Sequence, residues 1–160
     1  MAQYSTEMAA AVSRYFDMNR YRSRFDQDEG TFTLTIPLES RIRQAQMEIS
    51  VGNTTLIATA RISLACAKTA LRETMEFILR LNAALNFGAF MLDPDTGEVW
   101  FRFGLDCAGV MPSYDMIDHL VSLPVIVLGT YLDALVSVML GFSDAKKALQ
   151  KAALKSIGDS

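Results

Sequence analysis

The chain has 160 residues, enough for one domain that buries about 70% of the surface its unfolded form exposes. Hydrophobic residues make up 51% and charged residues 21%, which excludes a wholly disordered chain. The formal net charge of −3 and the pI of about 5.1 argue against a dedicated nucleic-acid-binding protein. The two cysteines have neither zinc-type spacing nor the density of a disulfide-rich chain, so both are expected to be reduced and buried.

The N-terminal part predicts one helix followed by three strands. Ser5 can cap a helix whose apolar positions include Met8 and Phe16, and this helix and its connector occupy 1–24. The connector contains an aromatic and basic run, which we interpret as solvated because an acidic turn follows it directly. Strict alternation of apolar and polar residues over 31–66 predicts three antiparallel strands with one polar face. Gly52 and Asn53 predict the second hairpin turn.

Residues 68–85 change to a helical period, and their apolar face is wider than one sheet would cover. The excess therefore meets either another helix of this chain or a second copy of the chain. For the second case, the candidate interface residues are Leu71, Met75, Phe77, Ile78 and Leu81.

A second predicted hairpin covers 87–105, with Asp93 and Gly97 at the ends of its turn. Alternation along its return strand directs Trp100 and Arg102 away from the apolar side, and Arg61 occupies the same face of the third strand. These three residues are the candidates for contact with a ligand or partner.

The last segment, 113–155, is predicted to be helical, with Ser113 as its N-cap and a kink or restart near Pro124. Leu120–Phe142 is the most apolar stretch, and its length would permit a membrane span. The amphipathic strands need a helix to cover them, however, so we predict a buried helix and no membrane association. A basic tail, Lys146–Lys155, closes the segment.

No constellation of catalytic, metal-binding or cofactor-binding residues stands out. His119 is the only histidine, and no glycine-rich phosphate-binding pattern is present. The sequence therefore predicts that the protein is not an enzyme and has no cofactor. The first 27 residues contain no continuous apolar signal segment, so a cytoplasmic location is expected.

The order of helix, three strands, helix, hairpin and helix resembles the YbjN family and the type III secretion chaperone-like fold that it shares. The motif-like part runs from Leu81-Asn82 to Leu105 and includes the segments Asn86–Asp93 and Gly97-Glu98-Val99. The resemblance implies an α+β fold in α-βββ-α-ββ-α order, with helices packed on one face of an antiparallel sheet. Secretion chaperones of this fold are typically homodimers that bind an extended segment of a partner, and the YbjN family is described as regulatory.

Together these observations predict a single α+β domain over 1–160. Its function is expected to be non-enzymatic binding of a protein or peptide, in a chaperone-like or regulatory role and as a homodimer. The alternative is a small-molecule-binding protein or enzyme with a pocket between the sheet and the last helix.

Overall fold

Six strands and four helices form the part of the chain that the computed structural model describes, residues 3–158. In chain order they are α1 Thr6–Met18, β1 Ser23–Asp26, β2 Thr31–Pro37, β3 Gln44–Val51, β4 Thr55–Ala65, α2 Leu71–Ala84, β5 Ala89–Leu92, β6 Glu98–Asp106, α3 Tyr114–Met139 and α4 Ala145–Gly158. A single 3₁₀ turn, Lys68–Ala70, leads into α2.

The strands form one antiparallel sheet in the order β1-β2-β3-β4-β6-β5. One face of this sheet is apolar, as the alternation predicts. The register places Phe32 opposite Ile49, Ile49 opposite Ala58, and Ala58 opposite Phe103, so these residues form one row across four strands. All four are buried.

Helices cover the apolar face only. The helix α3 packs on β4 and β6, α2 packs on β5, and α4 lies outside them against both α2 and α3. The ring of Phe16 in α1 meets that of Phe32 edge to face, with centroids 5.5 Å apart. Fully buried side chains such as Leu120 and Leu128 fill the space between α3 and the sheet, and each contributes about 1.5–3 kcal/mol by its burial.

The predicted α+β class, the helix caps and both hairpins are confirmed. Ser5 Oγ accepts a hydrogen bond from Met8 N at 3.2 Å, and Ser113 Oγ accepts one from Met116 N at 3.2 Å. The structure adds one strand that the sequence did not predict. β1 lies in the segment interpreted as a connector, and Phe25 is its only large apolar side chain. That ring stacks on Phe32 at 4.3 Å.

The C-terminal segment consists of two helices. We predicted a kink or restart near Pro124, but α3 is uninterrupted over Tyr114–Met139 and the break follows it. Gly141 ends the helix with a φ of +78°, a conformation that glycine adopts without strain. Asp144 then caps α4, because its Oδ1 accepts a hydrogen bond from Lys147 N at 2.9 Å.

Candidate functional site

The second face of the sheet is open, since none of the described helices lies over it. Its central row, read across the strands, is Thr35, Gln46, Arg61, Trp100 and Met91. The guanidinium carbon of Arg61 lies 5.2 Å from the centroid of the Trp100 ring. This cation–π contact is worth about 0.5–1 kcal/mol at an exposed site.

Arg102 lies in the next row of the same face, opposite Thr59 and Ala89. The three predicted partner-facing residues, Arg61, Trp100 and Arg102, are therefore close together on β4 and β6. Toward β1 the face carries three carboxylates and one guanidinium: a shallow cavity of about 410 Å³ is lined there by Arg24, Asp26, Glu29, Thr31, Thr33 and Glu48. The alternation of β6 also directs Glu98 and Asp106 to this face, at the two ends of the strand that carries Trp100 and Arg102. The basic and aromatic group therefore lies within a face that is otherwise mainly acidic.

The structure divides the candidate interface residues of α2 between core and surface. Phe77, Ile78 and Leu81 are buried against the chain's own sheet and helices, so they cannot contact a partner in this fold. Met75 is 51% exposed, and Leu79, one turn further on, is 73% exposed. The excess apolar face therefore meets another helix of this chain for the most part. Leu71 is only partly buried.

The outer edge of the sheet at β5 is closed by a residue that the sequence analysis did not single out. The side chain of Asn82 in α2 donates from Nδ2 to the Phe90 carbonyl at 2.9 Å and accepts from Phe90 N at 2.8 Å. An edge strand with unpaired backbone groups is a template for pairing with another chain. The Asn82 amide occupies this template at Phe90.

A pair of aromatic residues and a carboxylate joins α1 to α3. Tyr15 donates its hydroxyl hydrogen to Asp118 Oδ1 at 2.7 Å, and its ring lies 5.2 Å from that of Tyr114. Burial, reinforced by this hydrogen bond, raises the pKa of Tyr15 well above its ordinary value. The hydrogen bond and the ring contact link α1 to α3.

The described residues contain no arrangement that indicates catalysis. Among residues 3–158 no group of three or more His, Cys, Asp or Glu could hold a metal ion. His119 is exposed, and its ring meets those of Phe87 and Phe103 edge to face at 6.0 and 5.5 Å. Cys66 and Cys107 are buried thiols, and burial raises the pKa of Cys107.

The region between the sheet and α3 is packed with side chains where we considered a ligand pocket. Leu120, Val121 and Phe101 are fully buried there. The proposed lining of that pocket, Arg61 with Trp100 and Arg102, lies on the other face of the sheet and cannot reach it. The helix α3 is long and apolar enough to cross a membrane, but 44% of its most apolar window is buried inside the chain, where it covers the sheet.

The class defined by this geometry is an α+β protein with helices packed on one face of an antiparallel sheet and an open second face. The model of the YbjN family, described as "Putative bacterial sensory transduction regulator", matches residues 9–136. The chain therefore belongs to the YbjN family, as the resemblance predicted. The crystal structure of YbjN from E. coli is similar with a TM-score of 0.61 and 10% identity, over 81% of this chain and 89% of that chain.

Two solved complexes are similar at lower TM-scores. A chain of the ExoT–SpcS complex from Pseudomonas aeruginosa has a TM-score of 0.48 and 13% identity, over 77% of this chain and 95% of the matched chain. A chain of the HopA1–SchA chaperone–effector complex has a TM-score of 0.46 and 12% identity, over 78% of this chain and 92% of the matched chain. A search of the curated proteins finds no match.

Proposed function

We propose that this chain is a non-enzymatic, regulatory or chaperone-like module that acts in the cytoplasm and binds a protein or peptide through the open face of its sheet. The observation that carries the proposal is the grouping of Arg61, Trp100 and Arg102 on a face that the described helices leave uncovered. Tryptophan and arginine are the residue types most enriched among the energetically dominant positions of protein interfaces. The family's description as a sensory transduction regulator supports a regulatory role.

The charge pattern of the open face determines the kind of partner that fits it. Arg61 and Arg102 lie beside Trp100, and carboxylates surround them: Glu98 and Asp106 at the ends of β6, and Asp26, Glu29 and Glu48 toward β1, where Arg24 also lies. Complementary charge raises the rate of association and fixes register more than it raises affinity. We therefore expect a partner segment with an apolar residue over Trp100, acidic residues beside Arg61 and Arg102, and basic residues against the surrounding carboxylates.

The experiment compares retention of partners from a native lysate by the immobilised wild-type chain and by three variants. Trp100→Ala and Arg102→Glu alter the open face, whereas Arg80→Glu, an exposed change on α2, is the control. A specific partner should be retained by the wild type and by the control and lost by both face variants. Partners retained equally by all four chains would contradict the proposal.

The homodimer is a separate part of the proposal, and we assign it to the exposed pair Met75 and Leu79 on α2. Two large apolar side chains one turn apart form a surface that a second copy can cover. Light scattering should report a dimer for the wild type and a monomer for the Met75→Asp/Leu79→Asp double variant. A matched double variant at other exposed apolar positions, Met18→Asp/Leu154→Asp, should remain dimeric. A monomeric wild type at several hundred micromolar would refute this part alone.

A further inference from the structure

A groove of about 350 Å³ lies between the outer side of α3 and one flank of α4, on the opposite side of the molecule from the open sheet face. Small side chains from both helices form its floor: Gly129, Ala134, Ser137, Ala148 and Ala152. A Cβ atom added at Gly129 would meet nothing within 4 Å, so the space above this position is open. Phe142, which is 77% exposed, lies at one end of the groove.

Three cationic side chains lie on the rim of the groove. Arg41 lies on it from the β2–β3 loop, and Lys151 and Lys155 lie on it from successive turns of α4. Within the described part of the chain, none of these three cations has a carboxylate oxygen within 4.0 Å. Two lysines of the basic tail, Lys151 and Lys155, therefore line the groove.

The single carboxylate in the groove already has its own partners. Asp133 Oδ1 accepts hydrogen bonds from Ser40 Oγ at 2.7 Å and from Arg41 N at 3.0 Å. Burial alone would raise the pKa of Asp133, but these bonds and the nearby charges of Lys155 and Arg41 outweigh burial and lower it. Three cations against one carboxylate leave the groove with a charge of about +2, on a chain whose net charge is −3.

We propose that this groove binds a small anion with two or more negative charges on carboxylate or phosphate groups, through Arg41, Lys151 and Lys155. The volume of the groove is at the lower end of the range for small-molecule sites, which fits a compact anion better than a long peptide. Arginine binds carboxylate and phosphate groups with two parallel hydrogen bonds, and lysine binds either as a point charge. The exposed ring of Phe142 can cover the carbon skeleton. Carboxylate and phosphate anions share this chemistry.

Such a ligand would connect three elements of the fold, α3, α4 and the β2–β3 loop. A ligand that binds only the folded chain raises its unfolding temperature, and the stabilisation grows with the logarithm of the ratio of ligand concentration to Kd. Binding at this groove is independent of the protein-binding surface proposed above, so either proposal can fail alone.

The experiment is isothermal titration of the full chain with citrate and with pyrophosphate, supported by thermal unfolding at matched ionic strength. We expect a Kd below millimolar for one of them, and the preferred anion identifies the source as carboxylate or phosphate. The Lys151→Ala/Lys155→Ala double variant should raise this Kd at least about tenfold. The matched Lys146→Ala/Lys147→Ala variant removes the same charge from the same helix outside the groove, and it should bind as the wild type does.

A second variant tests the cavity without changing any charge. Gly129→Leu places a side chain in the open space of the groove and replaces glycine by a better helix former, so the chain should fold and fail to bind. Three results would each overturn the proposal: no binding of either anion at millimolar concentration, an equal loss in both lysine double variants, or unchanged binding by folded Gly129→Leu.

Discussion

Replacing Asn82 by alanine tests whether this side chain closes the edge of the sheet. The substitution removes both hydrogen bonds to the backbone of Phe90, at 2.9 and 2.8 Å, and leaves that N–H and C=O directed outward. α2 itself should be unaffected, because alanine is the best helix former. The variant therefore isolates the edge contact.

The size of the effect follows from the two bonds. Each contributes about 0.5–1.5 kcal/mol net, so their loss costs about 1–3 kcal/mol. Alanine regains about 0.5 kcal/mol of helix propensity, which leaves a destabilisation of about 0.5–2.5 kcal/mol. For a chain of 160 residues this lowers the unfolding temperature by about 1–10 °C. The opened edge should also pair with other copies and raise the scattering mass.

The assay is thermal and urea unfolding, together with light scattering before heating. The control is Asn86→Ala, which changes an exposed asparagine four residues further along the chain. Equal stability of the two variants, with no self-association of Asn82→Ala, would refute the assignment of Asn82 as the group that closes the edge.

Four further changes test other contacts by urea unfolding. Arg20, just after α1, has a φ of +58°, a conformation that favours glycine, so Arg20→Gly should raise the free energy of unfolding by about 0.5–1 kcal/mol. Gly141 has a φ of +78°, so Gly141→Ala should lower the free energy of unfolding by a similar amount. The pKa of Tyr15 is raised, so the stabilisation that its protonated hydroxyl provides is complete below pH ~10 and is lost as pH rises further. Tyr15→Phe should lower the free energy of unfolding by about 1–2 kcal/mol and should also remove this loss of stability at alkaline pH. The pKa of Asp133 is lowered, so the stabilisation that its carboxylate provides is present above pH ~4 and is lost in acid. Asp133→Ala should have a lower free energy of unfolding at neutral pH, and in acid this free energy should depend less on pH than that of the wild type.

The strands and their faces could be predicted because their cause is local. A side-chain period of two is visible in any stretch of several residues, and it correctly placed Phe32 on the covered face and Trp100 on the open one. The strand β1 was missed because it is four residues long and has a single large apolar side chain, so its pairing with β2 determines its structure. The division at Gly141 was missed because the apolar character of α3 continues through the turn.

The surfaces were harder to predict because they depend on contacts between distant parts of the chain. The width of the apolar face of α2 was visible, but only the positions of α3 and α4 show that Phe77, Ile78 and Leu81 are internal. The basic tail was also visible in the sequence. Its proximity to Arg41, more than 100 residues earlier, depends on the docking of α4 against α3.

Site-specific photo-crosslinking tests the proposed protein-binding surface most directly. A benzophenone amino acid at position 91 lies beside Trp100 on the open face, and the same group at position 150 lies on exposed α4. We expect illumination of cells to give a defined protein adduct from the probe at position 91 and no adduct from the probe at position 150. The adduct from position 91 should be absent when the same chain also carries Trp100→Ala. Adducts from position 150 alone, or adducts from position 91 that persist in Trp100→Ala, would contradict the assignment of the open face as the binding surface.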